Sequence, residues 1–127
     1  MAKLLLDTQV LLWFLSGDSR LTEKQRETII DPSNSLFMSI ASFWEATVKM
    51  SVGKLSNKGG VKALYKSTNT MGIAIDPISI EALYALEGLS QIHRDPFDRI
   101  IIATAVAGEN TVITGDERIK QYSIPTI

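Results

Sequence analysis

Four short apolar runs, at residues 3–6, 35–38, 73–75 and 111–114, are separated by stretches whose apolar residues recur at helical spacing. The first two do not alternate with polar residues and so read as strands buried on both faces of a sheet, and the last is β-branched throughout. Parallel neighbours need a crossover, which the intervening helical stretches supply. The expected fold is therefore α/β: a mainly parallel sheet of four to five strands with helices on both faces, its fifth strand a short edge segment at 124–127. At 127 residues the chain corresponds to one domain, 1–127.

Turn and cap residues delimit the helices. The apolar residues of 10–15 stop at Ser16-Gly17-Asp18-Ser19, and a helix over 22–30 is broken by Asp31-Pro32. Ser39 or Ser42 caps a third helix, which carries Ile40, Phe43, Trp44, Thr47 and Val48 as an apolar stripe and closes near Gly53. Helices over 61–70 and 79–89 follow. The most apolar helix, 97–107, opens on Asp95-Pro96, an N-cap followed by proline in the first turn, and Gly108 is its expected C-cap.

Composition narrows the chemistry. With no cysteine, disulfide scaffolds, thiolate metal sites and Cys-dependent catalysis are excluded, and any metal must be held by oxygen or imidazole. The lone His93 cannot complete a usual zinc site and reads as a loop residue or a substrate contact. Gly59-Gly60 lacks the spacing of a phosphate-binding loop. The run at 10–15 is far too short to span a bilayer and no signal-peptide core follows Met1, so the expected location is the cytoplasm, with no membrane partner. Thirteen basic against fourteen acidic residues leave a net charge of −1, so only local charge can argue for nucleic acid. Residues 46–75 contain no acid but five lysines, Lys49, Lys54, Lys58, Lys62 and Lys66. Lys58, Lys62 and Lys66, four apart, form a stripe that reads as a solvated helix face or as a track for a phosphate backbone.

In a parallel α/β sheet the functional crevice lies beyond the carboxyl ends of the strands, which is where four acids fall. Asp7 and Asp116 directly follow strands, while Glu45 and Asp98 stand on helices that start at the same edge. Each has a structural explanation: Asp7 as a helix cap, Glu45 as the partner of Ser42 in a capping box, Asp98 as a first-turn acid, Asp116 as a turn residue. Asp98 fits that explanation least well, because its i+3 and i+4 neighbours are Ile101 and Ile102 and burial would desolvate it. Together the four make an oxygen-ligand set suited to Mg²⁺ or Mn²⁺.

The segments Leu5-Leu6-Asp7-Thr8-Gln9-Val10-Leu11-Leu12-Trp13, Ser39-Ile40-Ala41-Ser42-Phe43-Trp44-Glu45, His93-Arg94-Asp95-Pro96-Phe97-Asp98-Arg99 and Thr114-Gly115-Asp116 resemble, in order, the four acidic motifs of the PIN-domain ribonucleases. Within that family the chain is most similar to the VapC-like toxins of type II toxin–antitoxin pairs, and the resemblance runs over nearly its whole length. It implies a PIN-like three-layer α/β/α sandwich and a metal-dependent endoribonuclease. It also implies that Asp7, Glu45, Asp98 and Asp116 are the catalytic, metal-binding acids, with Thr8 and Thr114 as supporting hydroxyls and Asp95 kept as a cap. Lys49, Lys54 and Arg99 are the expected RNA-backbone contacts. A cognate antitoxin is the implied protein partner, and a homodimer the implied assembly. Trp13, Phe14 and Trp44 are candidate dimer contacts, although ordinary aromatic burial assigns all three to the core. Gln9 departs from the family, whose members often carry His there.

Two other readings compete. One is a PIN-like binding module that acts through a protein or RNA partner without cutting. The other is a receiver-type phosphoacceptor domain, which needs paired acids after the first strand and a lysine after a later one. Here Thr8 follows Asp7, and Gly115-Asp116 stands where the lysine would be.

Overall fold

The computed structural model describes residues 3–127. The chain runs β1 (Lys3–Leu6), α1 (Thr8–Ser16), α2 (Glu23–Ile30), β2 (Ser35–Ser39), α3 (Ile40–Ser51), α4 (Gly60–Thr70), β3 (Ala74–Asp76), α5 (Ile80–Glu87), α6 (Pro96–Gly108) and β4 (Thr111–Ile113), then a 3₁₀ turn, Ile119–Gln121. The strands form one sheet in the order β3-β2-β1-β4, and every pairing is parallel. Leu6 lies level with Met38 on one side and Ile113 on the other, so β1, β2 and β4 end together. Asp7, Ser39 and Thr114 consequently share one edge, and the Asp7 N–H donates to the Ile113 carbonyl at 3.1 Å.

Side chains of a strand alternate between faces, and β1 uses both. Leu4 and Leu6 pack with Val10, Leu11, Met38, Phe43 and Leu64 on one face, whereas Leu5 packs with Ile101, Ile102, Ala105 and Val112 on the other. Helices α1 to α4 supply the first layer of helices and α6 the second, with α5 packed along α6. This is the expected three-layer sandwich. Among the described residues no helix is long and apolar enough to cross a membrane.

Three local expectations are corrected. The segment 124–127 is not a full strand; it forms one parallel bridge, Val112 to Thr126, and its backbone bonds to β4 include Val112 N–H to Pro125 O and Ile127 N–H to Val112 O, both 2.9 Å. Pro125 has no N–H to extend the ladder. Helix α6 is closed not by Gly108 but by Glu109, which adopts the left-handed conformation with φ 55°. Gly108 stays helical, and a Cβ there would lie 3.1 Å from Asn110 Nδ2.

The third correction concerns α3. Its buried side is Ala41, Ser42, Phe43, Glu45 and Ala46. Of the stripe expected to face the core, Ile40, Trp44 and Val48 instead point outward, and Trp44 is 61% exposed. Trp44 instead packs edge-on against Phe97 of α6, ring centroids 4.9 Å apart. Trp13 and Phe14 are half-buried against the core.

Candidate metal centre

Four sequence segments converge at the edge where β1, β2 and β4 end. A hollow of about 250 Å³ there is lined by Asp7, Glu45, Asp98 and Asp116, with Thr8 and Lys49 at its wall. A larger hollow, about 650 Å³, opens beside the start of β2, but its one carboxylate, Asp31, is already bonded to Ser33. The chemistry is concentrated in the smaller one.

Asp7 is both a cap and a member of the acidic set. Its Oδ1 accepts the Val10 N–H at 2.7 Å, starting α1, and its Oδ2 accepts the Thr114 hydroxyl. Burial pushes the carboxyl up to about 6 against these two hydrogen bonds, and the charges of Asp116 and Glu45 add to the rise. Thr114 Oγ1 in turn accepts the Asp116 N–H at 2.9 Å, so one hydroxyl fixes two of the acids.

Glu45 is freed from capping duty. Ser39, not Ser42, caps α3, its Oγ accepting the Ala41 N–H at 3.1 Å. Ser42 lies inside the helix and accepts the Thr8 hydroxyl at 2.8 Å, so the expected capping box does not form. Glu45 is 4% exposed. Its Oε2 pairs with the Lys49 ammonium at 2.8 Å, which raises the lysine above its ordinary value. Its Oε1 is buried without a hydrogen-bond partner among the described residues.

Asp98 follows the Asp95 cap, whose Oδ1 accepts the Phe97 and Asp98 N–H groups at 2.9 and 3.2 Å. Burial, then the charges of Asp95 and Glu45, push Asp98 up to about 7, with His93 pulling the other way. Asp116 is held below its ordinary value: burial alone would raise it, but the His93 ring and the Arg118 and Ile119 N–H groups together outweigh burial.

The residue that sequence reasoning missed is His93. It lies in the loop before α6, as expected, but is buried there, at 5% exposed. Its Nδ1 accepts the Asp95 N–H at 3.1 Å, so in the neutral ring the proton sits on Nε2. From there it points between Asp116 Oδ2 at 2.9 Å and Asp98 Oδ2 at 3.1 Å. The signal was its position two residues before an N-cap, in the segment that also carries Asp98.

Arg99 is engaged within the protein: its guanidinium donates to the carbonyls of Ser90 and His93, both at 2.9 Å, and of Leu89 at 3.3 Å. It pins the loop before α6, and Tyr122 does the same from the other side, bonding the His93 N–H and the Ser90 carbonyl at 2.7 Å each. Arg99→Ala is expected to lower stability by about 2 kcal/mol through loss of these charge-assisted bonds. Thermal unfolding measures this, and an unchanged midpoint would return Arg99 to the substrate. Lys54 is exposed beyond the end of α3 and does not line the hollow.

A crowd of carboxylates, two of them raised by burial and one with an unpartnered oxygen among the described residues, has only Lys49 in the lining to set against it. Oxygen donors of this kind fit a hard divalent cation. Among the described residues, His93, Asp98 and Asp116 bring ligand atoms within 4.8 Å of one another, a set that does not include Asp7 or Glu45.

Comparison with known proteins gives a family-model match, described as PIN domain, over residues 4–125. No curated protein matches the sequence. Among solved structures, the chain is similar to VapBC2 from Rickettsia felis bound to a DNA fragment from its promoter, with 15% identity, a TM-score of 0.71 and coverage of 98% of this chain and 97% of the other. It is also similar to VapBC-1 from nontypeable Haemophilus influenzae, at 16% identity, TM-score 0.67 and coverage of 98% and 96%. A toxin–antitoxin complex from Klebsiella pneumoniae gives 21% identity, TM-score 0.66 and coverage of 100% and 96%. At these identities the likeness is one of fold.

Proposed function

Because the chain belongs to the PIN domain family, we propose that it is a metal-dependent endoribonuclease, the toxin of a toxin–antitoxin pair, acting in the cytoplasm. The observation that carries this reading is the convergence of Asp7, Glu45, Asp98 and Asp116 on one hollow, with a buried Glu45 oxygen that no donor among the described residues satisfies. These four acids would hold Mg²⁺ or Mn²⁺. Such an ion, when bound, supplies Lewis-acid polarisation of the phosphodiester and a more acidic water.

The chain's own groups do the rest. Thr114 and the start of α1 fix both oxygens of Asp7, so that this carboxylate needs no rearrangement to serve as a ligand. Thr8 ties α1 to α3 through Ser42, holding Asp7 and Glu45 at a set separation. His93, behind the lining, sits 3.1 Å from Asp98 and 2.9 Å from Asp116 and so ties the two together. Lys49, paired with Glu45 at the rim, is the nearest cation for the phosphate of the RNA.

The folds shared with the VapBC complexes support a cognate antitoxin as partner. The outward Ile40, Trp44 and Val48 of α3, beside an apolar hollow of about 370 Å³ lined by Leu83, Leu86, Phe97 and Ile100, support a homodimer through this face.

The test is cleavage of an end-labelled pool of cellular RNA by the purified, antitoxin-free protein. We expect cleavage with Mn²⁺ or Mg²⁺ and none with EDTA. A folded protein that binds the ion and leaves every RNA intact would overturn the nuclease and leave a binding module.

A further inference from the structure

Beyond the hollow, the strongest unassigned feature is the outer face of α4. Lys62, Tyr65, Lys66 and Asn69, at i, i+3, i+4 and i+7, share one exposed side, with Lys58 in the turn leading into it. Leu64 and Thr68 anchor the opposite side, at 2% and 0% exposure. We propose that this face is a second RNA-binding site, a cationic and aromatic track for the single strand flanking the cleaved bond. The proposal rests on the ribonuclease reading and adds to it a place where substrate is held away from the reacting phosphate.

Charge is the first argument. A merely solvated helix face mixes both signs, and α4 has no acid at all. Lys49 and Lys120 form ion pairs, with Glu45 at 2.8 Å and Glu117 at 3.6 Å, whereas among the described residues Lys54, Lys58, Lys62 and Lys66 form none. Four cations without counterions are a site for an external polyanion.

Continuity with the hollow is the second. Lys49 stands at the rim, and the Lys54 N–H donates to the Lys49 carbonyl at 2.8 Å, so the chain folds back at that point. Lys54, Lys58, Lys62 and Lys66 then follow at four-residue intervals. Lys62 and Lys66 are about 6 Å apart along the helix axis, a step that an extended strand's successive phosphates can match. The lysines therefore follow one another along the chain from the one that pairs with Glu45.

The third argument selects RNA over an acidic protein segment. Tyr65 is 51% exposed and lies between Lys62 and Lys66 on the same face. Its ring packs edge-on against Phe43, centroids 6.1 Å apart, which fixes it to the helix that carries Glu45. A fixed, half-exposed ring among lysines suits a base to stack on it, and only a single strand has bases free to do so.

Binding of a fluorescein-labelled twelve-nucleotide oligouridylate, followed by anisotropy in EDTA over a range of KCl, tests this. With Lys58, Lys62 and Lys66 all changed to Ala, the slope of log affinity against log salt should shrink by about 2, from roughly 0.7 per phosphate contact. Tyr65→Ala should weaken binding about tenfold and leave the slope unchanged, because stacking releases no counterion. Lys24→Ala, an exposed lysine on α2, should change neither. Circular dichroism verifies that each variant is folded. If wild type binds the oligonucleotide and the triple variant and Tyr65→Ala match it in affinity and slope, the track is wrong and the nuclease reading stands. If wild type neither binds nor cleaves RNA with Mn²⁺ present, both fall. Loss of oligoglutamate binding in the triple variant, with RNA binding intact, would overturn the proposal in favour of an acidic protein partner.

Discussion

Asp98→Asn is expected to abolish RNA cleavage, by more than about 100-fold, while making the ion-free protein more stable. The two effects have one cause. Asp98 is pushed up to about 7 by burial and by the charges of Asp95 and Glu45, so near pH 8 its ionised form costs stability. Asparagine has the same shape and leaves the His93 hydrogen bond to Asp116 in place. What is lost is the charge a cation needs. After allowance for screening at this partly exposed carboxyl, the gain at pH 8 is about 1–2 kcal/mol, or a rise in Tm of about 5 °C. Asp7→Asn should lose cleavage equally but gain less stability. Asp7 accepts from both Val10 and Thr114, and an amide has one acceptor oxygen for the two donors. Cleavage assays with Mn²⁺ and calorimetry in EDTA measure both quantities. Retained cleavage in either variant would remove the four-acid site from the chemistry.

The placement of these acids was legible because it follows from backbone rules. A parallel sheet delivers the residue after each strand to one edge, which fixes Asp7 and Asp116, and the helices that start there bring Glu45 and Asp98. Whatever depended on side-chain partners from distant segments was not legible. Nothing local to His93 shows that Tyr122, 29 residues later, takes its backbone N–H and turns its ring inward. Arg99 follows Asp98 directly and looks like a phosphate contact until the carbonyls of Ser90 and Leu89 are brought to it. On α3, hydrophobicity pointed the wrong way. Ile40, Trp44 and Val48 make the more apolar stripe, yet the helix is oriented by what fits beneath it, Ala41, Ser42 and Glu45 at the sheet edge. Periodicity reports that a helix has an apolar side, and packing decides whether that side meets the core or a partner.

The same crowding gives the ion-free protein an inverted pH profile, with Mg²⁺ or Mn²⁺ reversing it. Asp7, raised to about 6, and Asp98, raised to about 7, keep protons in the folded state that the unfolded chain has already released. Between about pH 4 and 7 the folded state therefore binds more protons, and stability falls as pH rises through that window. Below it, Asp18, Asp31 and Asp116 act in the opposite sense. Their carboxyls are lowered, Asp18 to about 2 by the Arg20 guanidinium, so the stability they contribute above pH 4 is lost as they protonate. In EDTA the midpoint of thermal unfolding should peak near pH 4 and decline toward pH 8. A divalent ion competes with protons at Asp7 and Asp98, so its stabilisation should be largest at pH 8 and shrink toward pH 5, where both carboxyls are protonated. Calorimetric scans from pH 4 to 9, with EDTA and with 10 mM MgCl₂ or MnCl₂, give both curves. In EDTA, a midpoint that rises steadily to pH 8 would mean that burial does not strain these carboxylates. An ion effect of equal size at pH 5 and pH 8 would place the ion elsewhere on the protein.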